Sequence, residues 1–210
     1  MEIPFWLVVA ATILLIWIYT FKGGIRTIVW TDTLQTFFML TAVVLTIFAI
    51  GNALDKNLGD LVGTIQQSEY SQMFFFENFM TDSNNFFKQF ISGALIAIVM
   101  TGLDQDMMQK NLSCRSLKDA QKNVFAFSVI LVFVNMLFLG LGALLYIYAA
   151  NVGIEIPERT DQLFAEIALE HLSPTTGIVF ILGLIAAAYS SADSALTALT
   201  TSFCVDFLDM

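Results

Sequence analysis

The chain has 210 residues, of which 57% are hydrophobic and 13% charged, and 20 of them are phenylalanine. This apolar surface exceeds what a soluble domain can bury, so the composition indicates an integral membrane protein in contact with membrane lipid. The formal net charge is -9 and there is no basic patch, so nothing in the sequence favours nucleic acid as a partner.

Five apolar runs are each long enough to cross a bilayer, which requires about 20 residues of helix. They are too long and too continuous for buried strands. The first run lacks the basic region and the cleavage site of a signal peptide, so we interpret it as a retained helix. We therefore predict an all-α integral membrane fold in a single transmembrane domain (residues 1–210), with about five helices at residues 3–21, 29–50, 86–103, 124–150 and 177–207.

The charges between these runs predict the sidedness of the chain, because Lys and Arg are enriched in cytoplasmic connections. The second and fourth connections, residues 51–85 and 151–176, hold ten acidic residues against Lys56 and Arg159. The first and third connections hold the basic residues Lys22, Arg26, Lys110, Arg115, Lys118 and Lys122. We therefore expect a multi-pass protein of the cell (inner) membrane, with the N-terminus of this chain outside and its C-terminus cytoplasmic. The second and fourth connections are long enough to contain short interfacial helices, for example at residues 161–171.

The last apolar run carries a stripe of small and hydroxyl side chains. At helical spacing, one face holds Ala187, Ser190, Ser191 and Ser194. Such a stripe usually serves helix packing, and this interpretation stays open. Asp193 favours a further role, because an ionisable group inside a span costs about 2.5 to 3.5 kcal/mol unless it faces a cavity, a partner or an ion. Hydroxyl, carboxylate and carbonyl oxygens suit a hard cation such as sodium, so the stripe predicts half of a cation site.

A second acidic residue, Asp32, enters the second apolar run together with Thr31, Thr33 and Gln35. One interpretation is an interfacial aspartate that caps the N-terminus of the helix, where the helix dipole favours negative charge. The other is a carboxylate that faces Asp193 and Ser194 from a neighbouring helix. The spacing leaves both open.

Three segments resemble a known family. "GGIRTIVWTDTLQTFFML" resembles the G-G-x-x-A-V-x-W-T-D-x-x-Q signature of the sodium:solute symporters, and "TGLDQDMMQKNLSCRSLKDAQKN" resembles the loop in which their G-x-D/N-Q motif occurs. "AAAYSSADSALTALTTSFCVDF" is similar to their A-A-x-M-S-S-x-D-S helix. The three segments follow the family's order and spacing and cover most of the chain.

The resemblance implies part of a leucine-transporter-type inverted-repeat fold, an internal fragment that runs from the fourth core helix to the eighth. It also implies a sodium site that includes the carbonyl of Ala187 together with Ser190 and Ser191. A second cation site, present in only some members, would be formed by Asp32, Asp193 and Ser194, with Ser190 beside them. Asp193 replaces a hydroxyl residue of the members in which that second site is best defined, so two acids there could bind sodium or share a proton.

The substrate is poorly specified by the sequence. The sugar-transporting members of the family that this sequence resembles have Tyr, Asn and Lys at three positions, where this sequence has Met100, Ala97 and Leu131. A sugar therefore lacks hydrogen-bond partners at these positions. The substrate-binding residues are therefore unknown. The segment "DQDMMQK" is more typical of a structured helix start with salt bridges than of a binding site.

We expect a sodium-coupled secondary transporter that carries a small organic solute by alternating access, with Na⁺ as coupling ion and no cofactor. The alternative is a truncated, non-transporting remnant or an accessory membrane subunit. An enzyme is not indicated: no Ser-His-Asp, HExxH or P-loop pattern occurs, so we predict no catalytic residue. Cys114 and Cys204 are expected to be unpaired thiols, and His171 to be a solvated loop residue, which leaves no metal site beyond sodium.

Overall fold

The fold comes from a computed structural model, which describes residues 4–23 and 25–209, without the side chains of residues 22–26. The predicted first residue of span one, Ile3, and Gly24 of the first motif lie outside these residues, as do the side chains of Lys22 and Arg26. Within the described ranges every regular element is helical, and strand-like pairing is confined to one isolated bridge between Phe75 and Asn85. The predicted all-α fold is confirmed.

Eight α-helices follow one another along the described chain, and the apolar runs account for the long ones. They are α1 (Phe5–Gly23), α2 (Ile25–Ala53), α3 (Leu58–Gln67), α4 (Phe86–Gly102), α5 (Gln105–Leu112), α6 (Leu117–Val152), α7 (Leu163–Glu166) and α8 (Pro174–Asp206). A π-helical turn, Ile167–His171, continues α7, and a 3₁₀ turn, Thr160–Gln162, precedes it. Together these turns and α7 make the predicted segment 161–171 helical.

Each predicted span lies on a helix, but the helices differ in length and shape. Three of those described, α2, α6 and α8, are long and apolar enough to cross a membrane. The fourth candidate is a bent pair, because α4 and α5 meet at an angle of 59°. In α1 the apolar part, Phe5–Phe21, is shorter than these spans. The structure therefore supports three spans, or four with the bent pair, where the sequence predicted about five.

The chain divides into two compact units. The first contains Met1–Leu54 and Leu145–Met210, and its centre is the contact of α2 with α8. Apolar residues of α2, including Ile28, Val43 and Ile50, are buried there. The two helices approach closely at Gly183, where a Cβ atom would lie 3.5 Å from the backbone of Phe38 and Met39.

Short elements of the first unit pack against the start of α8. Ser173 caps α8 by accepting a hydrogen bond from the backbone N–H of Thr176, with Pro174 in the first turn, a favoured N-terminal combination. The hydroxyl of Tyr148 on α6 donates to the carbonyl of His171 at 3.3 Å. The exposed side chain of His171 agrees with the predicted solvated position.

The second unit, Asp55–Leu144, contains α3, α4, α5 and most of α6. Asn57 and Asp60 form a capping box at the start of α3. Asp104 caps α5 by accepting from the backbone N–H of Met107, and Asp106 forms an ion pair with Lys110 at 2.7 Å. The predicted helix start with a salt bridge in "DQDMMQK" is therefore confirmed. The grouping of residues 1–210 into one transmembrane domain stays a prediction.

Candidate cation site

Asp193 lies well inside α8, and its side chain has no solvent exposure. Its Oδ2 atom accepts a hydrogen bond from the hydroxyl of Tyr19 on α1 at 2.9 Å. The hydroxyl of Thr31 on α2 lies at the same distance, 2.9 Å, from Oδ2. Three helices of the first unit therefore meet at a single carboxylate oxygen.

The second oxygen of this carboxylate, Oδ1, is buried and has no hydrogen-bond partner among the residues that the structure describes. The described ion pairs join Lys110 to Asp106 and Arg159 to Asp161, and neither reaches Asp193. Buried polar atoms are nearly always paired, because an unpaired one forfeits the hydrogen bonds that water would supply. An unpaired oxygen on a buried carboxylate therefore indicates a place for a ligand.

Thr31 has two acceptors within reach of one proton. Its Oγ1 atom lies 2.8 Å from the carbonyl oxygen of Ile28, one turn earlier on α2, and 2.9 Å from Asp193 Oδ2. A hydroxyl donates one proton at a time, and a hydrogen bond to an ionised acceptor is stronger than one to a neutral carbonyl. An ionised Asp193 is therefore the preferred acceptor of the Thr31 hydroxyl, which places this hydrogen bond between α2 and α8.

Asp32 is joined to α8 by a hydrogen bond in the opposite direction, with the donor on α8 and the acceptor on α2. The hydroxyl of Ser190, which is only 5% exposed, donates to Asp32 Oδ1. Thus α2 supplies a hydroxyl to the carboxylate of α8, and α8 supplies a hydroxyl to the carboxylate of α2. We call these two hydrogen bonds, from Thr31 to Asp193 and from Ser190 to Asp32, the reciprocal pair.

The interpretation of Asp32 as the N-terminal cap of its helix is wrong. Because α2 begins at Ile25, Asp32 lies about two turns inside the helix, where the backbone N–H groups are bonded within the helix. The predicted boundary at residue 29 was too late, since the polar residues before it are also helical. Asp32 instead contacts the neighbouring helix, where its carboxylate accepts a hydrogen bond from Ser190.

The other predicted ligands on α8 lie around this contact in different environments. Ala187 and Ser194 are half-buried, whereas Ser191 is exposed on the surface of the described residues. The structure thus brings together Asp32, Ser190 and Asp193. It leaves Ser191 pointing away from the contact between α2 and α8.

Tyr19 is the site residue that sequence reasoning missed, and Thr31 was noted only as a neighbour of Asp32. A tyrosine near the end of an apolar run is usually assigned to the membrane interface, where its ring spans apolar and polar surroundings. Nothing local distinguishes Tyr19, because Thr20 follows it directly and Lys22 is three residues further along α1. A buried aspartate elsewhere in the chain requires hydrogen-bond donors, and Tyr19 is such a donor.

The described residues form neither a metal-binding cluster nor a disulfide. No group of three or more His, Cys, Asp or Glu side chains among those residues could hold a metal ion. Cys114 and Cys204 are both free, as expected from their spacing.

Apolar helices that pack around a buried carboxylate define a multi-pass membrane protein with a polar site inside its helices. The sodium:solute symporter family matches residues 1–209, and the chain belongs to this family. It is similar to the sodium/sialic acid symporter SiaT of Proteus mirabilis (strain HI4320), with 24% identity over 208 residues. That alignment covers 95% of this chain and 40% of the relative, so the chain spans less than half of the relative's length. No solved structure matches the chain significantly.

Proposed function

We propose that the protein containing this chain carries a small organic solute across the membrane together with sodium, by alternating access. Membership of the sodium:solute symporter family supports sodium coupling. The observation that carries the proposal is the buried Asp193, whose Oδ1 has no hydrogen-bond partner among the described residues and which lies one turn from Ser190. A buried carboxylate with an unpaired oxygen creates a demand for positive charge that sodium can meet.

The first proposed sodium site uses the carbonyl of Ala187 and the hydroxyls of Ser190 and Ser191 on α8. Its remaining ligands would come from a helix outside the 210 residues. The exposure of Ser191 suits this arrangement, because an exposed hydroxyl is accessible to a further helix. Sodium would link that helix to α8 and favour the outward-facing state. Release of sodium to the cytoplasm would loosen the link and free the solute.

The second proposed cation site consists of Asp32, Asp193 and Ser194, with Ser190 bridging to the first site. All of them offer oxygen, which is the donor that sodium prefers. The donor set therefore fits a hard monovalent cation and offers no soft ligand for a transition metal. In this proposal Ser190 lies between the two sites, since its hydroxyl already contacts Asp32.

The solute is proposed only as a class. SiaT is named as a symporter of sialic acid, and this chain covers 40% of it, so sialic acid belongs in a panel with amino acids, monocarboxylates and sugars. Ala97 and Leu131 offer no hydrogen-bond donor or acceptor from their side chains, and Met100 offers only a weakly accepting sulfur, which disfavours neutral sugars. The proposed sidedness places the N-terminus of this chain outside and its C-terminus in the cytoplasm.

The test is sodium-dependent uptake of the panel into proteoliposomes, using the protein with any sequence that flanks these 210 residues in its source. Ser191→Ala should abolish sodium-dependent uptake while leaving expression intact. Ser128→Ala is the matched control, because Ser128 is an exposed serine on α6 that bonds only the carbonyl of Val124 within its own helix. Unchanged sodium dependence in Ser191→Ala would overturn the first site. Absence of both sodium binding and uptake in the wild type would overturn the function.

A further inference from the structure

The two oxygens of the Asp193 carboxylate have different surroundings. Tyr19 and Thr31 approach Oδ2 from two different helices, each at 2.9 Å. Oδ1 is buried and has no partner in the described part of the chain. The side chain has no solvent exposure, so water at the surface does not satisfy Oδ1.

Donors on one oxygen fix the orientation of the other. A carboxylate is planar, and rotation about its last side-chain bond is only weakly restricted, so an isolated aspartate samples a broad range of orientations. Two hydroxyls at Oδ2 remove that freedom and hold Oδ1 in one direction. Groups that orient a ligand in this way govern metal affinity almost as strongly as the ligands themselves.

The donors also have a suitable chemical character. Neither Tyr19 nor Thr31 brings positive charge, so neither neutralises Asp193 as a lysine or arginine would. The carboxylate therefore remains in need of a cation while its geometry is fixed. Asp32, the other acid of the same helical contact, accepts a hydrogen bond from Ser190.

We propose that Tyr19 and Thr31 are positioning residues of the second cation site, and that they hold Asp193 through Oδ2 so that Oδ1 ligates a second sodium ion. This proposal rests on the proposed function. It assigns α1 a part in ion binding through Tyr19, although α1 supplies no ligand. In this proposal two hydroxyl groups raise the sodium affinity of a site whose ion they do not contact.

The test measures binding of ²²Na⁺ to the purified protein with its flanking sequence, as an isotherm in choline buffer. Wild type should bind two sodium ions. Tyr19→Phe and Thr31→Val should each weaken one of the two by roughly 10-fold, the lower end of the loss seen when groups that orient metal ligands are removed. Thr31→Ser keeps the hydroxyl and should restore wild-type affinity. Ser191→Ala should weaken the other ion.

Tyr148→Phe is the matched control, because this tyrosine of the same unit donates to the carbonyl of His171 and has no carboxylate partner in the described contacts. Equal sodium affinity in Tyr19→Phe, Thr31→Val and Tyr148→Phe would overturn the proposal and leave the proposed function standing. Loss of both ions together with a lower melting temperature in sodium-free buffer would also overturn it, since that pattern indicates general damage. A wild type that binds no sodium would overturn the proposed function itself.

Discussion

Replacing Gly183 by leucine should separate α2 from α8, whereas replacing it by alanine should not. A Cβ atom at Gly183 would lie 3.5 Å from the backbone of Phe38 and Met39, which is an ordinary van der Waals distance. Alanine therefore fits. It also favours the helix by about 1 kcal/mol over glycine, because it lowers the conformational freedom of the unfolded chain. Leucine adds further carbon atoms in a gap closed by backbone, which cannot move aside by changing rotamer.

The two substitutions should differ by several kcal/mol in the free energy of unfolding. Overpacking costs about 1–3 kcal/mol where side chains can adjust, and we expect about 3 kcal/mol here because the neighbours are backbone atoms. Leucine gains nearly the same helix propensity over glycine as alanine does, so the difference comes mainly from overpacking and is about 3 kcal/mol. Gly183 lies about two helical turns, or roughly 10 Å, from Ser190. A helix displaced at Gly183 should therefore also weaken the contact between Ser190 and Asp32.

The assay is reversible unfolding in mixed micelles with increasing SDS, followed by circular dichroism. Gly140→Leu on α6 is the control, because a Cβ atom there meets nothing within 4 Å. We expect Gly183→Ala and Gly140→Leu to unfold near the wild-type midpoint and Gly183→Leu well below it. A leucine variant at position 183 that is as stable as the alanine variant would refute the close approach of α2 and α8.

Three further changes test other parts of the structure. Asp193→Ala removes the acceptor of two hydroxyls and should lower the free energy of unfolding by about 2–4 kcal/mol, at about 1–2 kcal/mol for each hydrogen bond within the membrane; Asp193→Asn keeps an acceptor and should lose less in the same SDS titration. Gly153→Ala should lower the free energy of unfolding by about 1 kcal/mol in a thermal melt, because Gly153 follows α6 with a φ of 80°, where a side chain is strained. A variant as stable as wild type would contradict that backbone conformation. Ser173→Ala should cost about 1 kcal/mol through loss of the cap on α8, and Ser173→Asp, which keeps an acceptor, should recover most of it in the same measurement.

Much of the fold could be predicted from the sequence, because long apolar runs determine where helices lie. The observed α4 (Phe86–Gly102) nearly coincides with the predicted span at residues 86–103. Other helices extend past the predicted ends: α6 begins at Leu117 and α2 at Ile25, since polar residues at a membrane surface continue a helix without adding apolar signal. Short helices were expected in the second connection, but the bounds of α3 were not predicted, because its ten residues carry no long apolar run.

The candidate site was predictable only in part. Asp193 and Asp32 stand out because charges are costly inside apolar runs, so the sequence alone identifies them. The partner of each acid depends on the rotation and the packing of separate helices, which helical spacing within one segment does not determine. Tyr19 and Asp193 are 174 residues apart in the chain, and Ser190, which donates to Asp32, is likewise far from it in the sequence.

The reciprocal pair also limits how α2 and α8 can move. Each helix is both donor and acceptor, and the two contacts lie one turn apart on α8. Sliding α8 by a single residue along α2, about 1.5 Å, would stretch both contacts at once rather than one after the other. The two hydrogen bonds therefore favour the same register of the two helices. In the proposed transport cycle, a rearrangement of α2 against α8 would change the partners of both carboxylates together.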